Sequence, residues 1–338
     1  MRPEDFDYPL PTDRIASEPA SPRDAARLLV LGPSMDDRRV GHLPDLLLSG
    51  DLLVVNDTRV RRARLFGRRA TGGRVELLVL RRHEGGAYDA LVRAHKRIRP
   101  GEEIPLDGGL LATLLERREG AVWRVGIEGG TGGTDIEEEI ERVGHVPLPP
   151  YLKRPDRPED RESYQTIFAA RLGSAAAPTA GLHFTTELLE RLEARGVGIA
   201  RITLHVGYGT FAPVDAERIE EHRLHAEEFE VTEEAASAIA RRRGRLVAVG
   251  TTTTRVLETL ARTGGIRPAR GTTDLFLYPG VPFLAVQGLL TNFHLPKSSL
   301  LMLVCAFAGR ERVLAAYARA LEGGYRFFSY GDAMLVWP

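Results

Sequence analysis

The stretch Arg245-Leu-Val-Ala-Val-Gly-Thr-Thr-Thr-Thr-Arg255 passes from an apolar run through one glycine into four consecutive threonines. The short apolar run from Arg245 to Val249 is typical of a buried strand. Residues Thr251 to Arg262 predict a helix that begins directly after Gly250. A strand that leads through a tight turn into a helix is the repeating unit of α/β domains.

The same alternation of strand and helix continues around this stretch. The patterns predict a helix from about 185 to 195, a strand from Ile199 to Val206 and a helix from about 233 to 243. Residues 51 to 56, Asp-Leu-Leu-Val-Val-Asn, predict another buried strand near the start of the chain. We therefore expect a largely parallel α/β domain that is built from both ends of the chain.

Between about residues 62 and 128 the pattern changes to short apolar runs separated by glycine pairs at 72/73, 85/86 and 108/109. This spacing is typical of a small all-β barrel or sandwich. The predicted fold class is therefore α/β, with a larger mixed α/β domain formed by residues 1–60 and 147–338. A small all-β barrel domain, residues 61–146, is inserted into it.

Composition and charge exclude several classes of protein. The 46 acidic and 46 basic residues cancel, so a polyanion could be held only by a local patch. The single cysteine, Cys305, excludes an internal disulfide and a multi-cysteine zinc site. The longest apolar run, Leu300 to Ala308, is shorter than the roughly 20 residues of a membrane span, and the first residues lack the apolar segment of a secretion signal. We expect a cytoplasmic protein with no membrane role.

Two local clusters of cations supply such a patch. Six arginines lie between Arg59 and Arg69, and five basic residues lie between Arg93 and Arg99. Either cluster could bind RNA phosphates or be an ordinary solvated face.

Lysine is rare in this chain, with 3 lysines among 46 cationic residues. One of them, Lys297, follows His294 in the motif Thr291-Asn-Phe-His-Leu-Pro-Lys. A lysine amine can lose its proton when it is desolvated, whereas arginine stays charged. Lys297 and His294 are therefore candidates for proton transfer, with chance retention of the lysine as the alternative.

The turn at Gly250 is the second candidate site. The amides at the start of the following helix and the hydroxyls of Thr251, Thr252 and Thr253 could hold an anion or a ribose, with Arg255 beside them. Simple capping of the helix by a threonine is the alternative. No Walker A or Gly-x-Gly-x-x-Gly motif accompanies the turn.

Histidines are concentrated in the α/β half of the chain. His183 and His205 are flanked by glycines, which let a backbone approach a ligand, so both are candidates for substrate hydrogen bonding or proton transfer. A metal site on His222, His225 and Glu227 is a weaker alternative. Near the C-terminus, aromatic residues surround Asp332, as in a base-binding pocket or an ordinary core.

A set of distinctive strings, in collinear order from about residue 6 to 336, resembles the ribosyltransferase-isomerase family of queuosine biosynthesis. The strings are Asn56-Asp-Thr-Arg-Val60, Pro147-Leu-Pro-Pro-Tyr151, Tyr164-Gln-Thr166, Gly173-Ser-Ala-Ala-Ala-Pro-Thr-Ala-Gly-Leu-His-Phe-Thr185, Thr203-Leu-His-Val206, Gly250-Thr-Thr252, Tyr278-Pro-Gly280, Thr291-Asn-Phe-His-Leu-Pro-Lys-Ser-Ser-Leu300, Tyr325-Arg-Phe-Phe-Ser329 and Gly331-Asp-Ala-Met334.

The resemblance implies transfer and isomerisation of the ribosyl part of S-adenosylmethionine onto 7-aminomethyl-7-deazaguanine at the wobble position of tRNA. Epoxyqueuosine-tRNA, adenine and methionine would be formed. S-adenosylmethionine would be a consumed substrate, so no cofactor, no metal and no protein partner are expected.

The implied reaction needs a base, an acid for adenine, an anchor for the methionyl carboxylate and a pocket for the deazaguanine. The expected roles are as follows: proton transfer by His294, Lys297, His183 or His205; S-adenosylmethionine binding by Thr251, Thr252, Thr253 and Arg255; deazaguanine binding by Asp57 and Asp332; and tRNA binding by Arg61, Arg62, Arg64, Lys96 and Arg97. A metal-dependent hydrolase and a noncatalytic RNA-binding module are the alternatives.

Overall fold

The computed structural model describes residues 1–118, 120–129, 135–152, 154–207, 214 and 216–338. The chain forms two compact units, Met1–Arg59 with Ser163–Pro338, and Val60–Glu162. The second boundary therefore lies after residue 162, whereas the sequence pattern placed it after residue 146. The proline-rich segment that begins at Pro147 belongs to the smaller unit because it is bonded there: Arg64 Nη2 donates to the carbonyl oxygen of Leu148 at 2.9 Å.

The elements are numbered along the chain. The strands are β1 (Arg27–Leu31), β2 (Met35–Arg39), β3 (Leu52–Asn56), β4 (Thr58–Val60), β5 (Arg64–Arg68), β6 (Arg74–Arg82), β7 (Tyr88–Ala94), β8 (Glu103–Pro105), β9 (Leu110–Arg117), β10 (Val122–Gly129), β11 (Arg171–Ser174), β12 (Gly198–Leu204), β13 (Glu227–Val231), β14 (Leu246–Val249), β15 (Ala269–Thr273), β16 (Gly288–Asn292) and β17 (Ala333–Val336). The α-helices are α1 (Leu43–Leu46), α2 (Ile136–Val143), α3 (Asp160–Ser163), α4 (Thr186–Ala194), α5 (Glu233–Arg241), α6 (Thr251–Arg262), α7 (Ser299–Ala308) and α8 (Arg310–Glu322).

The larger unit is built on a nine-stranded sheet of order β15-β13-β12-β3-β14-β16-β17-β1-β2. Strands β12, β3, β14 and β16 are parallel neighbours at its centre. Antiparallel ladders join β13 to β12, β15 to β13, β17 to β16 and β2 to β1. The prediction of a largely parallel sheet is correct for the four central strands and for β1 with β17. It is wrong for the remaining four pairs, because periodicity locates a strand without fixing its direction.

Both faces of this sheet are covered by apolar side chains, which explains why its strands are continuous apolar runs. Along β3, Leu52 and Val54 pack with helices α5 to α8 on one face, while Leu53 and Val55 pack with α1 and α4 on the other. Thr185 caps α4, since its Oγ1 accepts the Leu188 N–H at 3.2 Å. The unit is thus a three-layer α/β arrangement.

The smaller unit contains a six-stranded antiparallel sheet of order β5-β6-β7-β10-β9-β8. Four of its strands contain the predicted apolar runs, whereas β5 and β8 lie outside them because they are short and largely polar. An isolated bridge between Gly67 and Leu106 joins the two ends of this strand order. Closure of the sheet into a barrel stays a prediction. In the described part of the chain, none of the helices has the length and apolar character needed to cross a bilayer.

The bridge at Gly67 predicts a stability effect. A Cβ at this position would lie 2.5 Å from the carbonyl oxygen of Pro105 and 2.7 Å from Leu106 Cδ2. Because the first contact is with backbone, Gly67→Ala should lower the unfolding free energy by about 1–3 kcal/mol. Gly85→Ala is the matched control, since a Cβ there meets nothing within 4 Å. Equal denaturant midpoints for the two variants would contradict this packing.

Candidate functional site

Most of the candidate residues of the larger unit follow the carboxyl ends of the four central parallel strands. Strands β3, β12, β14 and β16 end at Asn56, Leu204, Val249 and Asn292. Since parallel strands end at the same edge, this is where open α/β sheets bind ligands. The candidate residues that follow these strands are Asp57, His205, Thr251, Thr252, Thr253, Arg255 and His294.

Asp57 and His205 lie at the ends of the adjacent strands β3 and β12. The carboxylate of Asp57 accepts a hydrogen bond from Thr203 Oγ1 at 2.6 Å. Thr58 Oγ1 and His205 Nδ1 share a hydrogen bond at 2.8 Å. A Cβ at Gly173 would lie 2.7 Å from His205 Cε1, so this glycine lets backbone cover the imidazole ring. His205 itself is only partly buried, while residues 208–213 of its motif lie outside the described residues.

The first turn of α6 contains the threonines. Gly250, at the turn before the helix, has φ 91°, a left-handed conformation that favours glycine. It is also the N-cap residue, so threonine capping does not explain the run. Thr254 Oγ1 donates to the Gly250 carbonyl at 3.0 Å. Thr252 and Thr253 are buried, and their hydroxyls have no hydrogen-bond partner among the described residues.

Arg255 forms a buried ion pair with Glu227, the first residue of β13. Arg255 Nη2 donates to Glu227 Oε2, and the side chains are only 4% and 5% exposed. The other carboxylate oxygen, Oε1, accepts the Gly207 N–H at 2.6 Å. Burial lowers the pKa of Arg255 to about 10, so it stays charged at neutral pH. Sequence patterns missed this pair because its members lie on different elements and no local spacing links them.

Glu227 does not join His222 and His225 as the metal alternative required. Its carboxylate is bonded to Arg255 and Gly207. The His222 ring packs edge-on against Phe276, with a centroid separation of 5.3 Å. The residues that the structure describes contain no group of three His, Cys, Asp or Glu side chains that could hold a metal ion.

His183 and His294 are both buried beside the end of β16. Asn292 Nδ2 donates to His183 Nε2 at 3.2 Å, and Thr291 Oγ1 shares a hydrogen bond with His294 Nε2 at 2.8 Å. Burial, followed by the charges of Arg326 and Arg23, lowers the pKa of His183 to about 4. Burial lowers the pKa of His294 to about 3. Both imidazoles are therefore neutral at pH 7.

Lys297 has a different environment from His294. Its side chain is 40% exposed, and its Nζ lies 3.1 Å from Asp7 Oδ2. The backbone of Lys297 is left-handed, with φ 58°, and its N–H donates to the Phe6 carbonyl at 3.0 Å. The structure thus holds the ammonium group in a partly exposed ion pair with Asp7.

Asp332 is buried, and backbone groups hold both of its carboxylate oxygens. Oδ1 accepts the Arg27 N–H at 2.9 Å, and Oδ2 accepts the Arg326 N–H at 2.7 Å. The neighbouring aromatic residues Tyr325 and Phe327 are fully buried core residues. Asp332 therefore ties the start of β17 to β1, and a base-binding role would have to use its remaining lone pairs.

The cations of the smaller unit fall into two groups. Arg61, Arg62 and Arg64 form ion pairs with acidic residues of the same unit, namely Glu137, Glu141 and Glu76. Lys96 and Arg97 are exposed on the segment after β7. The second group is therefore the more accessible to solvent of the two.

The chain is similar to known proteins along its whole length. Residues 3–336 match the family described as queuosine biosynthesis protein. The S-adenosylmethionine:tRNA ribosyltransferase-isomerase of Pelobacter propionicus is 50% identical, over 99% of this chain and 100% of the relative. The enzyme of the same name from Acidithiobacillus ferrooxidans is 52% identical, over 100% of this chain and 99% of the relative. The crystal structure of S-adenosylmethionine tRNA ribosyltransferase from Thermotoga maritima is 36% identical, covers 98% of this chain and 99% of its own, and has a TM-score of 0.56.

The depressed pKa of His183 predicts a pH-dependent stability. The unfolded imidazole gains its proton near pH 6.5, whereas the folded one does so only near pH 4. Between these values the unfolded state binds the extra proton, so the unfolding free energy falls as pH falls. At pH 5 this loss is about 2 kcal/mol. In urea unfolding at pH 7.5 and pH 5, His183→Gln should lack this loss of unfolding free energy. The control His225→Gln, at an exposed site, should retain it. Parallel pH dependence of wild type and His183→Gln would exclude the effect.

Proposed function

We propose a function on one established premise: the chain belongs to the queuosine biosynthesis protein family. It acts as an S-adenosylmethionine:tRNA ribosyltransferase-isomerase in tRNA modification. It transfers and isomerises the ribosyl moiety onto 7-aminomethyl-7-deazaguanine at the tRNA wobble position, releasing adenine and methionine. The observation that carries the proposal is the identity of about half of all residues to relatives of that name over their full length.

We propose that S-adenosylmethionine binds at the carboxyl edge of the central strands, as a consumed substrate. The sulfonium group makes the adjacent C5′ hydrogens acidic, so a base can open the ribose and expel adenine. The tRNA amine then attacks, and closure of the epoxide expels methionine. The edge offers hydroxyls on Thr251 to Thr253, the cation Arg255 and several imidazoles. Asp57, which retains partial exposure there, is the better placed of the two carboxylates proposed for the deazaguanine.

Among the residues proposed for proton transfer, His205 is favoured by its position. It is partly exposed and is oriented by the 2.8 Å contact with Thr58. The neutral, buried His183 and His294 are suited to hydrogen bonding with the substrate or its surroundings. Lys297, which is partly exposed and paired with Asp7, is suited to act as a fixed point charge.

The smaller unit is proposed to bind tRNA through Lys96 and Arg97. Arg61, Arg62 and Arg64 contribute less because Glu137, Glu141 and Glu76 already compensate their charges. We also propose that the six-stranded sheet closes as a barrel, which the bridge from Gly67 to Leu106 supports. The cytoplasm, where tRNA is modified, is the proposed location.

The activity is tested by incubating the protein with S-adenosylmethionine and an anticodon stem-loop that carries 7-aminomethyl-7-deazaguanine. Mass spectrometry should detect epoxyqueuosine, adenine and methionine together. Intact S-adenosylmethionine with folded protein would refute the activity.

In the same assay His205→Asn should lower kcat by about 100-fold or more, as expected for loss of a general base. Lys297→Arg keeps the cation and should retain activity within about threefold if Lys297 is a point charge. Collapse of activity in Lys297→Arg, with His205→Asn nearly normal, would reverse the two assignments.

The RNA interface is tested by the salt dependence of tRNA binding. Replacing Lys96 and Arg97 by serine should weaken binding and reduce the slope of log affinity against log salt by about 1 to 2. Replacing Arg267 and Arg270 by serine is the control, because it removes two exposed cations from the larger unit. An unchanged slope in the first variant would exclude this interface.

A further inference from the structure

The Glu227–Arg255 pair lies beside buried polar atoms that lack a hydrogen-bond partner among the described residues. These atoms are Arg255 Nε, Thr252 Oγ1 and Thr253 Oγ1. Each of these residues is at least nine-tenths buried, with exposures of 3%, 6% and 0%. Buried polar groups in proteins are normally hydrogen-bonded. Three unpartnered donors within two turns of one helix therefore indicate a place for a polar ligand.

The charges around these donors restrict the ligand. Arg255 and Glu227 offset each other's charge, and Asp274 is a further carboxylate near Arg255. A simple anion would therefore be repelled by the carboxylates and a simple cation by the guanidinium. A group that carries both charges on neighbouring atoms avoids both penalties. The α-ammonium and α-carboxylate of an amino acid are such a group.

The two ends of this charge pair are held in different ways. Arg255 lies in the second turn of α6, a helix of 12 residues whose amino-terminal dipole favours a carboxylate. Glu227 is fixed by the 2.6 Å hydrogen bond from the Gly207 N–H. The chain thus presents donors from the helix and an acceptor from β13.

We infer that the Glu227–Arg255 pair binds the amino-acid end of S-adenosylmethionine, an inference that rests on the proposed function. Arg255 Nε and the hydroxyls of Thr252 and Thr253 donate to the α-carboxylate, and Glu227 accepts from the α-ammonium. Gly207, which holds Glu227, is two residues from His205, the proposed base. Glu227 is thereby a binding residue that no motif of the sequence identifies.

Calorimetric titration of the wild-type protein tests this inference without tRNA. The ligands are S-adenosylmethionine, its decarboxylated analogue and the analogue that lacks the α-amino group. Each analogue should bind at least 10-fold more weakly than S-adenosylmethionine. Binding of both analogues within twofold of S-adenosylmethionine would overturn the inference.

Variants then assign each charge. Glu227→Gln should weaken S-adenosylmethionine binding about 10-fold but leave binding of the analogue without the amino group within twofold. Arg255→Lys should weaken the binding of S-adenosylmethionine to a similar extent. It should change the affinity for the decarboxylated analogue by less than twofold. Glu230→Gln, on the same strand, is the matched control and should change none of these affinities.

The outcomes separate this inference from the proposed function. Equal weakening of all three ligands by Glu227→Gln, in a variant that still unfolds cooperatively, would show a structural role for the pair and overturn the inference alone. No binding of S-adenosylmethionine to the wild-type protein would refute the proposed function, and the inference with it.

Discussion

The parallel pairing of β12, β3, β14 and β16 is the constraint on which the larger unit depends. Parallel strands run in one direction, so the residues that follow them meet at one edge. Four distant parts of the chain thereby place Asp57, His205, the start of α6 and His294 along that edge. The apolar core covers both faces of the sheet and leaves this edge as the place where polar side chains gather.

The concentration of buried polar groups at this edge is costly for stability. A buried ion pair such as Glu227 with Arg255 gains little over well-packed apolar residues of similar volume. The neutral state that burial imposes on His183 and His294 adds an acid-sensitive term. The three-layer core can tolerate these costs because its strands and helices bury apolar side chains on both sides of the sheet. Polar groups that are already ordered at this edge can stabilise the charges of a substrate without first having to reorganise.

The elements with strong local signals could be predicted from the sequence. The strand before Gly250 and the helix Thr251–Arg262 are found where the pattern placed them. Features that depend on residues distant in the sequence could not be predicted. The ion pairs of Arg61 and Arg62 with Glu137 and Glu141 of α2 are one example, since no local spacing links their members. The edge strands β5 and β8 are too short and polar to show an apolar period.

In the candidate site, too, residues with a local sequence pattern were predicted and residues that depend on distant partners were not. The motifs located His205 after a strand, and the threonines and Arg255 in the helix after Gly250, where the structure has them. A strand end followed by glycine has a local signature. The sequence indicated Glu227 only as a metal ligand with His222 and His225, since its partner Arg255 is brought near only by the fold. Lys297 looked like a base because it is rare, yet the exposure of its side chain depends on how the first residues of the chain pack against it.

Amide hydrogen exchange with and without saturating S-adenosylmethionine would show whether the substrate binds at the carboxyl edge of the central strands. The ligand should slow exchange in peptides that contain the ends of β3, β12, β14 and β16, above all in those that span Gly250 to Arg255. Protection confined to other regions, such as residues 93 to 99, or no protection despite saturation, would contradict the placement of the substrate at this edge.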